Sequence, residues 1–237
     1  MASEHEHHIL KSIDAEQHRL EGELLDMGEM AVAQLEAALD VIDRRDDRAA
    51  ERIIANDEAI DALENEISQD VMKLATGGPL ARDLRYILTA LRTASDIERV
   101  GDYAANLAKR SMALNKAPPL PVSHVTGLTS LGRLAVRQMR DVLRAYRDSD
   151  LVLAQQVRDN DVELDLRYTS LFRELLTYMM EDPRNITPCT HLLFMAKNLE
   201  RIGDHATNIA EGIWYSEQGQ HNPLPPRVKG DESNTAG

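Results

Sequence analysis

Apolar residues recur along this chain at alternating intervals of three and four positions, the spacing that lines one face of an α-helix. Leu20, Leu24, Met27, Ala31, Leu35, Leu39 and Ile42 form the first such series and predict an amphipathic helix over residues 10–44. The polar cluster Arg44-Arg45-Asp46-Asp47 breaks it. Ile53, Ile60, Leu63, Ile67, Val71 and Leu74 predict a second helix over 47–74, closed by Gly77-Gly78-Pro79. Glycine there suits a left-handed cap and proline the first turn of the next helix. A third helix is predicted over 80–114, a fourth over 125–146, a fifth over 151–180 and a sixth over 188–215. Pro118, Pro119 and Pro121 separate the third from the fourth, and Asp182-Pro183-Arg184-Asn185 separates the fifth from the sixth. Few β-branched alternations are present, and no strand is predicted. The fold class is all-α.

The segment ERVGDYAANLA at 98–108 returns 102 residues later as ERIGDHATNIA at 200–210, with seven of the eleven positions identical. A repeat of about 100 residues predicts two pseudo-symmetric three-helix bundles arising from an internal duplication. The first bundle, with a polar N-terminal tail, is assigned to 1–116, a Pro-rich linker to 117–122 and the second bundle to 123–216. The remaining 217–237, rich in Pro, Gly and Gln, read as a disordered tail.

Composition narrows the possible functions. With 43% hydrophobic and 28% charged residues the chain is globular. A net charge of −13 repels phosphate backbones and anionic lipid, which excludes direct nucleic-acid binding and unaided membrane attachment. The single cysteine, Cys189, permits no internal disulfide and fits a reducing compartment. The N-terminus lacks the apolar core of a signal peptide, and no apolar run is long enough to span a bilayer. The expected location is cytoplasmic.

Against that acidic background the repeat carries candidate chemistry. Glu98, Asp102 and Asn106 are spaced by four, as are Glu200, Asp204 and Asn208, so each set forms one ridge. Each ridge prolongs an apolar stripe, Ile87 and Leu91 in the first copy and Leu193 and Ala196 in the second. Adjacent like charges on a stripe that turns inwards call for a positive partner. The second and fifth helices add Asp57 with Asp61 and Asp161 with Asp165, which puts four carboxylates near one point in each half. Such hard oxygen ligands suit Mg²⁺, Mn²⁺ or Ca²⁺, and carboxylate clusters also hold iron or zinc. Arg99 and Arg201, beside the glutamates, are the alternative counter-charges. Gly101 and Gly203 read as points of close helix packing.

Catalysis is the rival reading, and the pattern disfavours it. Di-iron carboxylate bundles need a Glu-x-x-His pair, whereas Gly101 and Gly203 stand three residues after the glutamates. No phosphate-cradling glycine loop or nucleophile elbow is present. His205 reads as a packing or surface residue, Cys189 as a small buried or incidental thiol, and the His5, His7, His8 tract as part of an irregular terminus with no specific metal site. Trp214 fits either core or a docking anchor. A metal-free helical scaffold is the third reading.

The two ExxGDxxxN segments, the prolines between the halves and TYMMEDPRNIT before the second copy closely resemble the PhoU family of bacterial phosphate-signalling regulators, over essentially the whole chain up to Tyr215. The resemblance implies two three-helix bundles with metal clusters of iron or zinc, or other divalent ions, on E(D)xxxD motifs. Those motifs fall here at Glu98 and Asp102 and at Glu200 and Asp204, with Asp57/Asp61 and Asp161/Asp165 of the same form. It further implies a negative regulator that links the phosphate ABC transporter ATPase to a sensor histidine kinase, performs no chemistry itself and meets the membrane only through those partners. Self-association as a homodimer is the expected assembly.

Overall fold

The structure is a computed structural model that describes the backbone of residues 2–76 and 81–219 and the side chains of 15–76 and 83–219. Six long helices follow in chain order: α1 (Ala2–Arg44), α2 (Asp47–Thr76), α3 (Ala81–Asn115), α4 (Val122–Asp148), α5 (Leu151–Glu181) and α6 (Ile186–Gln218). A short 3₁₀ turn, Pro183–Asn185, leads into α6. No strand occurs among the described residues, as the helical periodicity required.

Helix boundaries differ from the predicted ones where polar residues carry good helix propensity. α1 begins at Ala2, so the backbone of His5, His7 and His8 is helical and not irregular; their side chains lie outside the described residues. The sequence ASEHEHH contains no proline or glycine to stop a helix. α4 begins at Val122, directly after Pro121, which shortens the linker to 117–121. α6 runs on to Gln218 and closes on Gly219 at φ 68°; the expected tail beyond that, like Gly77-Gly78-Pro79, lies outside the described residues.

The duplication is visible in the caps. Arg45 (φ 56°) ends α1 in the left-handed region, and Ser149 (φ 47°), 104 residues later, ends α4 the same way. The following aspartates start the next helices: Asp46 accepts from Ala49 N at 3.0 Å, and Asp150 from Val152 N and Leu153 N at 2.9 and 3.0 Å. An oxygen acceptor at this position satisfies donors that the first helical turn leaves free.

Helices α1–α3 form one bundle and α4–α6 the other, and the two share a single hydrophobic core. The joint is a pseudo-two-fold in which α1 crosses α4 and α3 crosses α6 antiparallel. Gly28 lies against Leu143, and Gly132, its equivalent, lies against Leu39, the equivalent of Leu143. On the axis each position meets its own counterpart: Glu36 bonds Arg140 at 2.7 Å, and Tyr103 packs on His205 with ring centroids 5.7 Å apart. Identical residues would oppose like with like there, and the two copies differ at both places. Symmetry also fails further along the α3–α6 seam. At one end the Arg110 guanidinium covers the Phe194 ring at 4.2 Å. At the other, the equivalent positions are Gly212 and Arg92, and a cleft of about 340 Å³ opens instead.

Candidate functional site

In each half a glycine on the acidic ridge of the third helix lies against an aspartate of the second. A Cβ on Gly101 of α3 would stand 3.0 Å from Ile60 Cδ1 and 3.2 Å from Asp57 Oδ1 on α2. On Gly203 of α6 it would stand 2.5 Å from Asp161 Oδ1 and 3.3 Å from Leu164 Cδ2 on α5, and 2.9 Å from Gln138 Oε1 on α4. Glycine therefore lets an aspartate of the neighbouring helix lie across the ridge between Glu98 and Asp102, and again between Glu200 and Asp204.

The grouped carboxylates feel one another. Burial pushes the Glu98 carboxyl above its ordinary range, and the charges of Asp102, Asp61 and Glu64 push it further while Arg99 opposes them. Asp57 is raised by burial first and then by Asp102 and Asp61, against a hydrogen bond from Gln34. In the second half burial raises Glu200, Lys197 counters it, and Asp204 and Asp165 add to the rise. The charges that the sequence aligned on separate helices thus act on one another across α2–α3 and α5–α6.

Protein cations already stand at both ridges. Arg99 Nη1 bonds Asp102 at 2.9 Å, and its Nε lies 3.5 Å from Glu98. In the second half the partner of Glu200 is Lys197, at 3.0 Å, and not Arg201. Arg201 is exposed, as Arg99 is, but the second half carries Lys197 three residues before Glu200 on the same ridge, where the first half has Ser95. The asparagines diverge in the same way. Asn106 is half-buried, while Asn208 is exposed and donates to Asp96 Oδ1 of α3 at 3.2 Å, beside His205 Nδ1 at 2.7 Å from the same oxygen. His205 is therefore a seam residue.

Two residues of the site escaped the sequence reading. Gln34 of α1 donates from Nε2 to Asp57 Oδ1 at 2.8 Å and to the Gly101 carbonyl at 3.2 Å. Gln138 of α4 donates to Asp161 Oδ1 at 3.1 Å. Their signal was present: Ala-Val-x-Gln stands at 31–34 and again at 135–138, the same 104-residue offset that relates Asp57 to Asp161. A lone glutamine on an apolar stripe gives no reason to look for it.

Chemically, each half offers anionic, partly desolvated carboxylates opposed by protein cations, Arg99 and Lys109 in the first and Lys197 in the second. Among the described residues no three carboxylate, imidazole or thiol groups converge on one point as placed. A bound cation would have to draw Asp102 off Arg99 and Glu200 off Lys197. The donor set fits a hard or borderline cation, because raised carboxylates held close to one another are relieved by added positive charge.

The chain matches known proteins throughout. The PhoU domain profile matches residues 24–111 and again 128–213, one copy per bundle. A protein of Xylella fastidiosa named phosphate-specific transport system accessory protein PhoU homolog is 62% identical, over 99% of this chain and 96% of its own length. Its namesake from Rhizobium meliloti is 44% identical over 97% of each. Among solved structures, PhoU from Pseudomonas aeruginosa superposes with a TM-score of 0.82 at 32% identity, covering 87% of this chain and 99% of that one. The phosphate transport system regulatory protein PhoU from Streptococcus pneumoniae also gives 0.82, at 29% identity over 90% and 100%. Two domain matches and near-complete coverage by these relatives place the chain in the PhoU family.

Proposed function

We propose that this chain is an accessory and regulatory protein of phosphate-specific transport, a negative regulator of phosphate uptake and of the phosphate-starvation response that works through protein contacts. The observation that carries the reading is the 62% identity, over nearly the full length of both chains, to a protein named as an accessory of phosphate-specific transport. In this reading it joins the transporter ATPase to the sensor histidine kinase on the cytoplasmic side, as a homodimer. Attachment to the membrane then comes through those partners, in keeping with the net charge of −13 and with described helices none of which is long and apolar enough to cross a bilayer. Deleting the gene should derepress a phosphate-starvation reporter in phosphate-rich medium, and this chain supplied in trans should silence it again. A reporter left derepressed by the restored protein would sink the regulatory reading.

The second part of the reading is that Glu98 and Asp102 with Asp57 and Asp61, and Glu200 and Asp204 with Asp161 and Asp165, hold metal ions, iron or zinc foremost and manganese or magnesium next. Asn106 and Asn208 are outer members of the same ridges. Its support is the mutual perturbation of carboxylates from adjacent helices. When bound, the ions neutralise these groups and tie second to third helix, so binding adds to folding stability. The chain's own contribution is the donor set and its cations, with no reaction assigned to it. Elemental analysis of purified wild-type protein should find stoichiometric metal that is lost in the Asp102→Ala, Asp204→Ala double variant. A metal-free scaffold, in which protein cations such as Arg99, Lys109 and Lys197 serve as the counter-charges, predicts no metal in either protein.

A further inference from the structure

We propose that Gln34 and Gln138 are positioning residues of the two carboxylate sites, each reaching from the first helix of its bundle to fix the aspartate of the second helix against the glycine of the third. This rests on the metal-binding reading of those sites.

The geometry recurs in both halves. Gln34 Nε2 holds Asp57 Oδ1 at 2.8 Å over Gly101, and Gln138 Nε2 holds Asp161 Oδ1 at 3.1 Å over Gly203. Neighbouring positions on the same helices carry opposite charge in the two copies, Glu36 against Arg140 and Asp40 against Arg144, yet the glutamine stands in both.

Burial makes the amides expensive unless they serve a polar purpose. Gln34 is 8% exposed, Gln138 6%, and Asp161 is fully enclosed. Each glutamine is flanked along its helix by buried apolar residues, Ala31 and Leu35 in one copy and Ala135 and Met139 in the other, and an apolar side chain of the same length would bring no polar group to desolvate. Gln138 Oε1 is buried with no hydrogen-bond partner, and it stands 2.9 Å from where a Gly203 Cβ would be, next to the Asp161 carboxylate. An acceptor left open beside an anionic cluster is available to a cation or to a water bound to it.

The choice of side chain also fits. A primary amide donates a hydrogen bond without carrying charge, so it orients a carboxylate and leaves its negative charge for the ion. Lysine or arginine in the same place would compete with a metal for that charge. Groups behind a metal ligand that fix its orientation typically account for about 10- to 100-fold in affinity. Because Gln138 and Asp161 are the more deeply enclosed pair, the second-half site is the more rigidly prepared of the two.

The test uses the full chain with Mn²⁺ and Zn²⁺ titrated against a competing chelator. Glu200→Gln with Asp204→Asn leaves the first-half site to be read alone, and Glu98→Gln with Asp102→Asn leaves the second. Gln34→Met is expected to weaken the first-half site by about 10- to 100-fold and to leave the second unchanged, with Gln138→Met doing the reverse. Gln34→Asn and Gln138→Asn, polar but one methylene too short for the bond, should behave like the methionine variants and carry the test if either of those fails to fold. The Mn²⁺ electron paramagnetic resonance spectrum should change only in the half that carries the substitution. Unchanged affinity in all four variants overturns the positioning role while the metal reading stands. A wild-type protein that binds neither ion overturns both.

Discussion

At Gly203 a single methyl group decides whether α6 can lie on α5. Its Cβ would fall 2.5 Å from Asp161 Oδ1 and 2.9 Å from Gln138 Oε1, on two side chains held together by the bond from Gln138 Nε2, whereas at Gly101 the nearest atom is the free end of Ile60 at 3.0 Å. Gly203→Ala should therefore cost about 1–3 kcal/mol in urea denaturation. Gly101→Ala should be close to neutral, since a small shift of Ile60 is offset by a helix-propensity gain of about 1 kcal/mol. Equal costs would show that the two junctions close equally tightly. Arg45 makes a second residue-scale case. It holds φ 56° with a full side chain, so Arg45→Gly relieves a left-handed conformation and should raise stability by up to about 1 kcal/mol, read as a higher melting temperature. Both glycines and the Arg44-to-Asp47 break could be read from the chain, because each marks itself by residue type. The direction taken by Asn208 could not: an asparagine on a ridge is the same letter whether it faces a carboxylate on its own bundle or Asp96 across the seam.

Between elements, burial and like charge work together on the carboxylates of α3 and α6, and this has a pH signature in metal-free protein. Glu98 and Glu200 are both raised above the ordinary value of 4.5 by burial first, with neighbouring acids adding to the rise. A carboxyl that is harder to ionise when folded contributes stability that is complete below its unfolded value, and the contribution is lost as pH climbs through the folded one. Glu200→Gln, which cannot ionise, should thus gain on wild type as pH rises from about 4.5 towards neutrality, followed by melting temperature in chelator. A constant difference across that range would mean that Glu200 is not strained by ionisation. Helix number, order and most ends were legible from periodicity and from Pro and Gly. The repeat of Asp57/Asp61 at Asp161/Asp165, with the same offset as the rest, was legible too, but not how far apart the carboxylates stand: among the described residues no three of them meet at one point. The glutamines were not legible, because a hydrogen bond from the first helix to the second depends on how the three helices rotate about their axes, which spacing along one helix leaves open. The cation at Glu200 was misassigned because adjacency in sequence suggested Arg201, whereas Lys197, one turn earlier and without a counterpart in the first copy, reaches the carboxylate.

Across the whole molecule, duplication has turned what would be an interface between two copies into an internal seam. A two-fold brings equivalent residues face to face on its axis, and the chain answers with Glu36 against Arg140 and Tyr103 against His205. The two pairs should respond differently to being made alike. Arg140→Glu opposes two carboxylates that are largely solvent-exposed, so it should cost under about 1 kcal/mol and the cost should vanish in high salt. His205→Tyr removes the 2.7 Å bond to Asp96, both groups being mostly buried, and should cost about 1–2 kcal/mol irrespective of salt. Because Leu39 and Leu143 interlock with Gly132 and Gly28 across this seam and the apolar core runs through both bundles, neither half presents a finished surface of its own. The halves should then unfold together. Trp214, the single tryptophan, lies on α6 and reports the second bundle by fluorescence, while far-ultraviolet circular dichroism reports helices of both. Coincident urea midpoints by the two probes are expected for wild type and for Arg140→Glu. Fluorescence and dichroism that part company in wild type would mean the pseudo-two-fold joint is weaker than the core of either bundle, and that the two carboxylate sites sit on units able to open independently.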